Sequence, residues 1–198
     1  MLTPMATPAT KLATWEESWE ASEAGLAVEV LNGIVVEKAA PTDEHGAGQI
    51  GVAFEVVGPF ARKGGPGGPG GWWFRTEVDI ELGAHNLVRP DLAGWRRERV
   101  PEMPKTFPCR LAPDWVCEVL SPTTAARDRG PKAELYHRAG VSWFWVVDPA
   151  NRVVEVLRRG ESLWEVVTTS GGGFARLPPF DAVELFVGRF FGEDPPEE

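Results

Sequence analysis

Two acidic residues in this 198-residue chain stand where acids are costly. In "DWVCEVLSPTT", residues 114–124, Trp115, Val116, Cys117, Val119 and Leu120 make an apolar, β-rich run suited to a strand buried on both faces, and Glu118 interrupts it. In "VRPDLAGW", Asp91 takes a similar place in a second short apolar strand. A carboxylate removed from water needs a cationic partner, a proton or a metal, because its desolvation is not otherwise repaid. If the two strands are neighbours, the acids converge. Two hard oxygen ligands with water completing an octahedron describe a Mg²⁺ or Mn²⁺ site. The plainer alternative satisfies each acid separately, through a backbone cap or an arginine such as Arg89.

The elements that must position these acids can be read from periodicity. Thr14 and Glu17 fit a capping box and open a helix from Trp15 to about Ala24. "VEVLNGIVVEK" alternates on either side of Asn32-Gly33, the dipeptide of a type I′ hairpin. A helix from about Glu44 to Ala61 places Ile50, Ala53, Phe54 and Val57 on one apolar face, and sets His45 and Gln49 one turn apart. "GGPGGPGG" is a turn; no Gly-Lys-Ser/Thr follows it, so it is no phosphate loop. Strands follow at "WWFRTEVDIEL" and "VRPDLAGW", then the strand with Glu118. In "RDRGPKAELYHRAG", Pro131 suits a first helical turn and Gly140 a stop, so that Asp128, Lys132 and Tyr136 share a face. "VSWFWVVDP", a hairpin at "RVVEVLRRGESLWEVV" and a last strand or short helix at "FDAVELFVGRFF" complete a single domain.

Composition narrows the function classes. At 43% hydrophobic residues the chain can build one packed core, and no apolar run reaches the roughly 18 residues of a membrane span. The N-terminus lacks an apolar signal core, and Cys109 and Cys117 lack metal-type spacing; a cytoplasmic protein is the expectation. A net charge of −9 disfavours broad attraction to nucleic acid but leaves room for a local basic groove.

"VEVLNGIVVEKAAPTDEHGAGQI", "VRPDLAGW" and "WVCEVLSPTTAARDRGPKAELYHRAGVSWFWVVDP" resemble the Uma2 family, also called DUF820, of endonucleases in the PD-(D/E)XK superfamily. The resemblance runs from roughly Leu12 to Val187. It implies an α/β fold with a restriction-endonuclease-like core, a central mixed β-sheet flanked by helices and extra N- and C-terminal β-hairpins, over residues 12–192 with flexible termini at 1–11 and 193–198. It implies Asp91 and Glu118 as metal ligands, with the Val119 carbonyl as a third. The superfamily's lysine would fall at Leu120; the Uma2-like pattern supplies Lys132 from the following helix instead. The resemblance also gives Glu29 a second metal or a water to orient, unless it is an exposed strand residue. It places His45 and Gln49 against phosphate or substrate. Tyr136 then supports Lys132, and Asp128 either pairs with that lysine or favours a helix N-terminus. Trp143 stands where the family commonly has glutamate.

The function implied is Mg²⁺- or Mn²⁺-dependent hydrolysis of phosphodiester bonds, with DNA as substrate and a homodimer as the working form. A non-catalytic interaction module on the same fold is the alternative, kept open by the acidic charge and the nine tryptophans.

Overall fold

The computed structural model describes residues 11–23, 26–38, 40–64 and 67–197. Most of the expected N-terminal tail and the final residue lie outside them. Helix α1 (Trp15–Glu23) begins as the capping box requires, Glu17 accepting the Thr14 N–H at 3.1 Å. The hairpin of β1 (Val28–Leu31) and β2 (Ile34–Glu37) turns through Asn32 and Gly33 at φ of 52° and 78°, the left-handed pair a type I′ turn needs.

Two expected strands each break in two. "WWFRTEVDIEL" divides into β3 (Trp72–Thr76) and β4 (Ile80–Glu81), and "VRPDLAGW" into β5 (Leu87–Val88) and β6 (Leu92–Arg96). Glu77, at φ 49°, begins the first break, and Pro90 lies in the second, where it removes a ladder donor. The consequence is a change of sheet. β4 and β5 join the N-terminal hairpin in a four-stranded sheet, β2-β1-β5-β4, whereas β3 and β6 enter the central one. Glu77 and Asp91 therefore sit at the seam, and the Glu77 N–H donates to the Asp91 carbonyl at 3.3 Å.

The central sheet adds β7 (Trp115–Val119), β8 (Trp143–Asp148), β9 (Val153–Arg159) and β10 (Trp164–Ser170), in the order β10-β9-β8-β7-β6-β3. It is mixed: β7 and β8 are parallel and their other neighbours antiparallel. Parallel neighbours need a crossover. Here it runs through α3 (Ala125–Arg127), a kinked turn (Asp128–Lys132) and α4 (Ala133–Arg138). The single helix expected over this stretch is thus kinked at Gly130, whose φ of −103° and ψ of −105° are not helical, just before Pro131. The expected C-terminal hairpin, β9–β10, is a continuation of the central sheet. A small pair of β11 (Phe174–Ala175) and β12 (Leu185–Phe186) and a 3₁₀ helix (Val187–Phe191) follow. Glu193, assigned to a loose tail by the sequence, is ion-paired with Arg152 and donates its N–H to Gly188.

Alternation along β7 decides which way the buried acid points. Trp115, Cys117 and Val119 enter a core built with α2 (Asp43–Phe60) and the 3₁₀ helix, while Val116 and Leu120 enter the opposite core, with Tyr136, Ala133 and the smaller sheet. Glu118 shares the face of Val116 and Leu120, beneath the crossover helix. One face of α2 departs from expectation: Ile50 and Phe54 are exposed, and Val52, Val56 and Phe60 are buried. Glycine explains the rotation. A Cβ on Gly51 would lie 2.2 Å from the Arg189 carbonyl oxygen, so the helix turns its glycine side to the 3₁₀ backbone.

Candidate active site

The β6–β7 register pairs Leu92 with Cys117 and Ala93 with Val116; continued by one residue, it sets Asp91 opposite Glu118. Both carboxylates open into a cavity of about 480 Å³, lined also by Lys38, His45, Gln49, Glu77, Arg127, Asp128 and Lys132. The acids inferred from their strands are therefore neighbours at one cleft. Arg89 does not satisfy either one; it forms a bidentate pair with Asp79, at 2.7 and 2.8 Å.

Asp91 is held from three sides. Its Oδ2 accepts the Val119 N–H at 2.7 Å, and its Oδ1 faces Lys38 Nζ at 3.2 Å and His45 Nε2 at 3.3 Å. Burial alone would raise its pKa, but the His45 contact and the charge of Lys38 outweigh that and hold it at about 2. His45 is raised in turn, first by its hydrogen bond to Asp91, against the cost of burial.

Glu118 has a different environment. Its Oε1 accepts the Tyr136 hydroxyl at 2.5 Å and faces Lys132 Nζ at 2.7 Å. Burial pushes its pKa up to about 8; Lys132 opposes the rise, and the charges of Asp128, Asp91 and Glu29 add to it. Lys132 is itself 1% exposed, with Glu29 Oε1 at 3.1 Å and Asp128 Oδ1 at 3.4 Å. Burial disfavours its charge, but Glu118 and the surrounding anionic groups raise its pKa well above the usual lysine value, so the ammonium persists.

The crossover brings Asp128, Lys132 and Tyr136 to Glu118 because a connection between adjacent parallel strands must pack over their ends. Asp128 pairs with Lys132 and is not merely a helix-terminus charge. Glu29 is 1% exposed, which removes its reading as a surface glutamate; its Oε1 also accepts the Arg89 N–H at 2.8 Å. It stands behind Lys132. Its Oε2 has no hydrogen-bond partner and lies 3.8 Å from Arg127 Nε. His45 and Gln49 reach the cleft from α2, whose N-terminus is fixed by Thr42 Oγ1 accepting the His45 N–H. Gln49 Nε2 donates to the Asp91 carbonyl at 3.0 Å and to Glu77 Oε1 at 3.3 Å. Val119 contributes its N–H to Asp91.

Lys38, Glu77 and Arg127 were missed by sequence reasoning. Lys38 follows β2 by one residue, Arg127 ends a three-residue helical turn, and Glu77 stands inside a run that alternates like an unbroken strand. No local pattern marks any of them; the seam between two sheets collects them.

The mixed sheet thus brings two acids at the ends of the adjacent strands β6 and β7, and a lysine from the β7–β8 crossover, to one cleft. The Uma2 family model, whose description reads "Putative restriction endonuclease", matches residues 14–187, and the chain belongs to that family. The fold is shared with a solved structure described as "a putative nuclease belonging to DUF820 from Anabaena variabilis ATCC 29413". The two are 21% identical, with a TM-score of 0.71 over 90% of this chain and 97% of the other. No curated protein matches.

Proposed function

We propose that this nuclease-family chain is a metal-dependent endonuclease that hydrolyses phosphodiester bonds in DNA. The observation that carries the reading is the convergence of Asp91 and Glu118 on one cleft with the Lys132 ammonium 2.7 Å from Glu118. The donors suit a hard divalent cation: Asp91, Glu118 and the Val119 carbonyl would hold Mg²⁺ or Mn²⁺. When bound, the ion supplies Lewis acidity at the scissile phosphate.

The chain's own groups do the rest. Lys132 carries a fixed positive charge at the cleft, suited to orienting the attacking water and to offsetting the negative charge that grows on phosphorus oxygens. Glu29 and Asp128 keep that lysine charged and aimed, while Tyr136 fixes the Glu118 carboxyl. His45 and Gln49 order the Asp91 side of the cleft. Lys38 and Arg127 set cationic groups beside the acids of the cavity, where they could meet a phosphate oxygen.

The same reading includes a homodimer, because cutting both strands of a duplex takes two sites, and the edge strand β10 offers a pairing surface. It also includes a cytoplasmic setting, supported by two cysteines that are buried and free. No helix among the described residues is long and apolar enough to cross a membrane.

The test is cleavage of a mixed DNA pool with Mg²⁺ or Mn²⁺ by the parent and by Asp91→Asn. Asparagine can still accept the Val119 N–H, so the fold should persist while activity falls by roughly 100-fold or more. A folded parent that cuts nothing with either ion, or equal cleavage by parent and variant, would overturn the proposal and favour the interaction module.

A further inference from the structure

Between Glu55 and Glu77 the chain has no acidic residue, yet that stretch carries Arg62, Lys63 and Arg75. In a protein of net charge −9 this is a local reversal of sign, and the fold enlarges it. β6 lays Arg96 and Arg97 beside the same stretch. Trp72 pairs with Arg96 in the β3–β6 register, the Arg97 N–H donates to the Gly71 carbonyl at 2.8 Å, and the Gly71 N–H donates to the Arg62 carbonyl at 2.7 Å. Cations from the end of α2, from β3 and from β6 therefore meet along one edge of the central sheet, where β3 is the terminal strand.

Each charge has a plainer use alone. Arg62 and Lys63 follow the C-terminus of α2, where a cation suits the helix dipole, and Arg75 guards an edge strand against pairing. Gathered together they repel one another, and ion pairs offset little of it. Of Lys63, Arg75, Arg96 and Arg97, only Arg96 is ion-paired among the described residues, with Glu98 at 3.6 Å, and that glutamate's side chain is 78% exposed. Two of the guanidinium groups are also held by aromatic faces. Arg96 lies 4.8 Å from the centre of the Trp72 ring and Arg97 3.4 Å from that of Trp73, and Arg97 donates further to the Trp72 and Ala61 carbonyls at 3.1 and 2.7 Å. A planar guanidinium that is already held loses little freedom on meeting a phosphate. The strip ends at the cleft. Arg75 is two residues from Glu77, which lines the cavity, and at about 3.3 Å per residue β3 carries the strip roughly 17 Å back from it.

We infer that the β3 edge is a nucleic-acid track: the strand whose phosphodiester reaches the cleft continues along β3, with successive phosphates meeting Arg75, Arg96 and Lys63. The inference rests on the nuclease reading and adds to it where the substrate lies outside the cleft. A span of roughly 17 Å matches about five base-pair steps of 3.4 Å, so several phosphates of one strand come within reach at once. Most of the surface of so acidic a chain repels DNA. A strip of the opposite sign that leads to the cleft therefore also selects the orientation in which the substrate approaches.

The experiment measures binding and not cleavage, by fluorescence anisotropy of a labelled DNA duplex of mixed sequence with the full chain in chelator at low salt. Arg75→Gln/Arg96→Gln should weaken binding by about tenfold or more and should lower the slope of log K against log salt by about 1.8, or 0.9 for each lost phosphate contact. The control, Arg152→Gln/Arg158→Gln, removes the same charge beside and on β9, on the far side of the sheet, and should leave the slope unchanged. All four side chains are exposed enough for both variants to fold. Equal losses in the two variants, or no DNA binding by the parent, would overturn the track. So would binding to phosphatidylserine vesicles, but not to DNA, that Arg75→Gln/Arg96→Gln removes. DNA cleavage by the parent with unchanged binding in Arg75→Gln/Arg96→Gln would sink the track and leave the nuclease reading standing; strip-dependent DNA binding without cleavage in Mg²⁺ or Mn²⁺ would do the reverse.

Discussion

Replacing Lys132 with methionine keeps most of the apolar stem and deletes the charge. The ammonium faces Glu118 at 2.7 Å, Glu29 at 3.1 Å and Asp128 at 3.4 Å, and all four side chains are at most 5% exposed. Breaking a buried ion pair from one side costs about 3–5 kcal/mol, because the remaining charge is left uncompensated. For a chain of this size that corresponds to a fall in Tm of roughly 6–20 °C, at about 2–4 °C per kcal/mol. Urea denaturation in chelator at about pH 8 measures the loss directly. Lys132→Met/Glu118→Gln should recover roughly 1–3 kcal/mol of it, the usual coupling between contacting residues. A loss below about 1 kcal/mol at pH 8 would place the pair with exposed ion pairs and refute the reasoning. The same logic warns that cleavage by a Lys132 variant must be compared with the parent at equal folded fraction.

Glu118 and Gly51 give two further predictions. With its pKa raised from 4.5 to about 8, Glu118 binds a proton in the folded chain that the unfolded chain has released. Its contribution to stability is complete below the ordinary carboxylate range and is lost as pH rises through about 8. Metal-free Glu118→Gln should therefore show a flatter fall in denaturation midpoint between about pH 5 and pH 9 than the parent; identical slopes would refute the assignment. Asp91, held at about 2, has the opposite sign, its contribution being lost only as pH falls toward that value. Gly51→Ala should destabilise by about 1–3 kcal/mol despite the better helix former, because the new Cβ meets the Arg189 carbonyl. Gly58→Ala, on the same helix with nothing within 4 Å, should stabilise by about 0.5–1 kcal/mol. Equal denaturation midpoints for the two variants would refute the packing argument.

What the sequence by itself determined is mostly local. Asn32-Gly33 specifies its hairpin because few residues tolerate two left-handed positions, and a buried β-rich run makes Glu118 conspicuous because an acid there must be compensated. The four-residue spacing of Asp128, Lys132 and Tyr136 placed them on one face, and the structure brings them to one cluster although the helix between them is kinked at Gly130. Periodicity failed where glycine or a sheet exchange intervened. On α2 the buried face was chosen by Gly51 meeting a backbone carbonyl, a contact that a count of apolar side chains cannot register. Glu77 opens a stretch that alternates as far as Leu82 with no local sign of a break, and only its left-handed φ and the transfer of the chain between sheets bring it to Asp91. Lys38 and Arg127 reach the cleft from positions 39 and 50 residues away from Glu77, through pairings that no local pattern encodes. The two strand acids were legible one at a time; their neighbours, and therefore their protonation, were decided by tertiary structure, because burial and charge depend on everything packed around them.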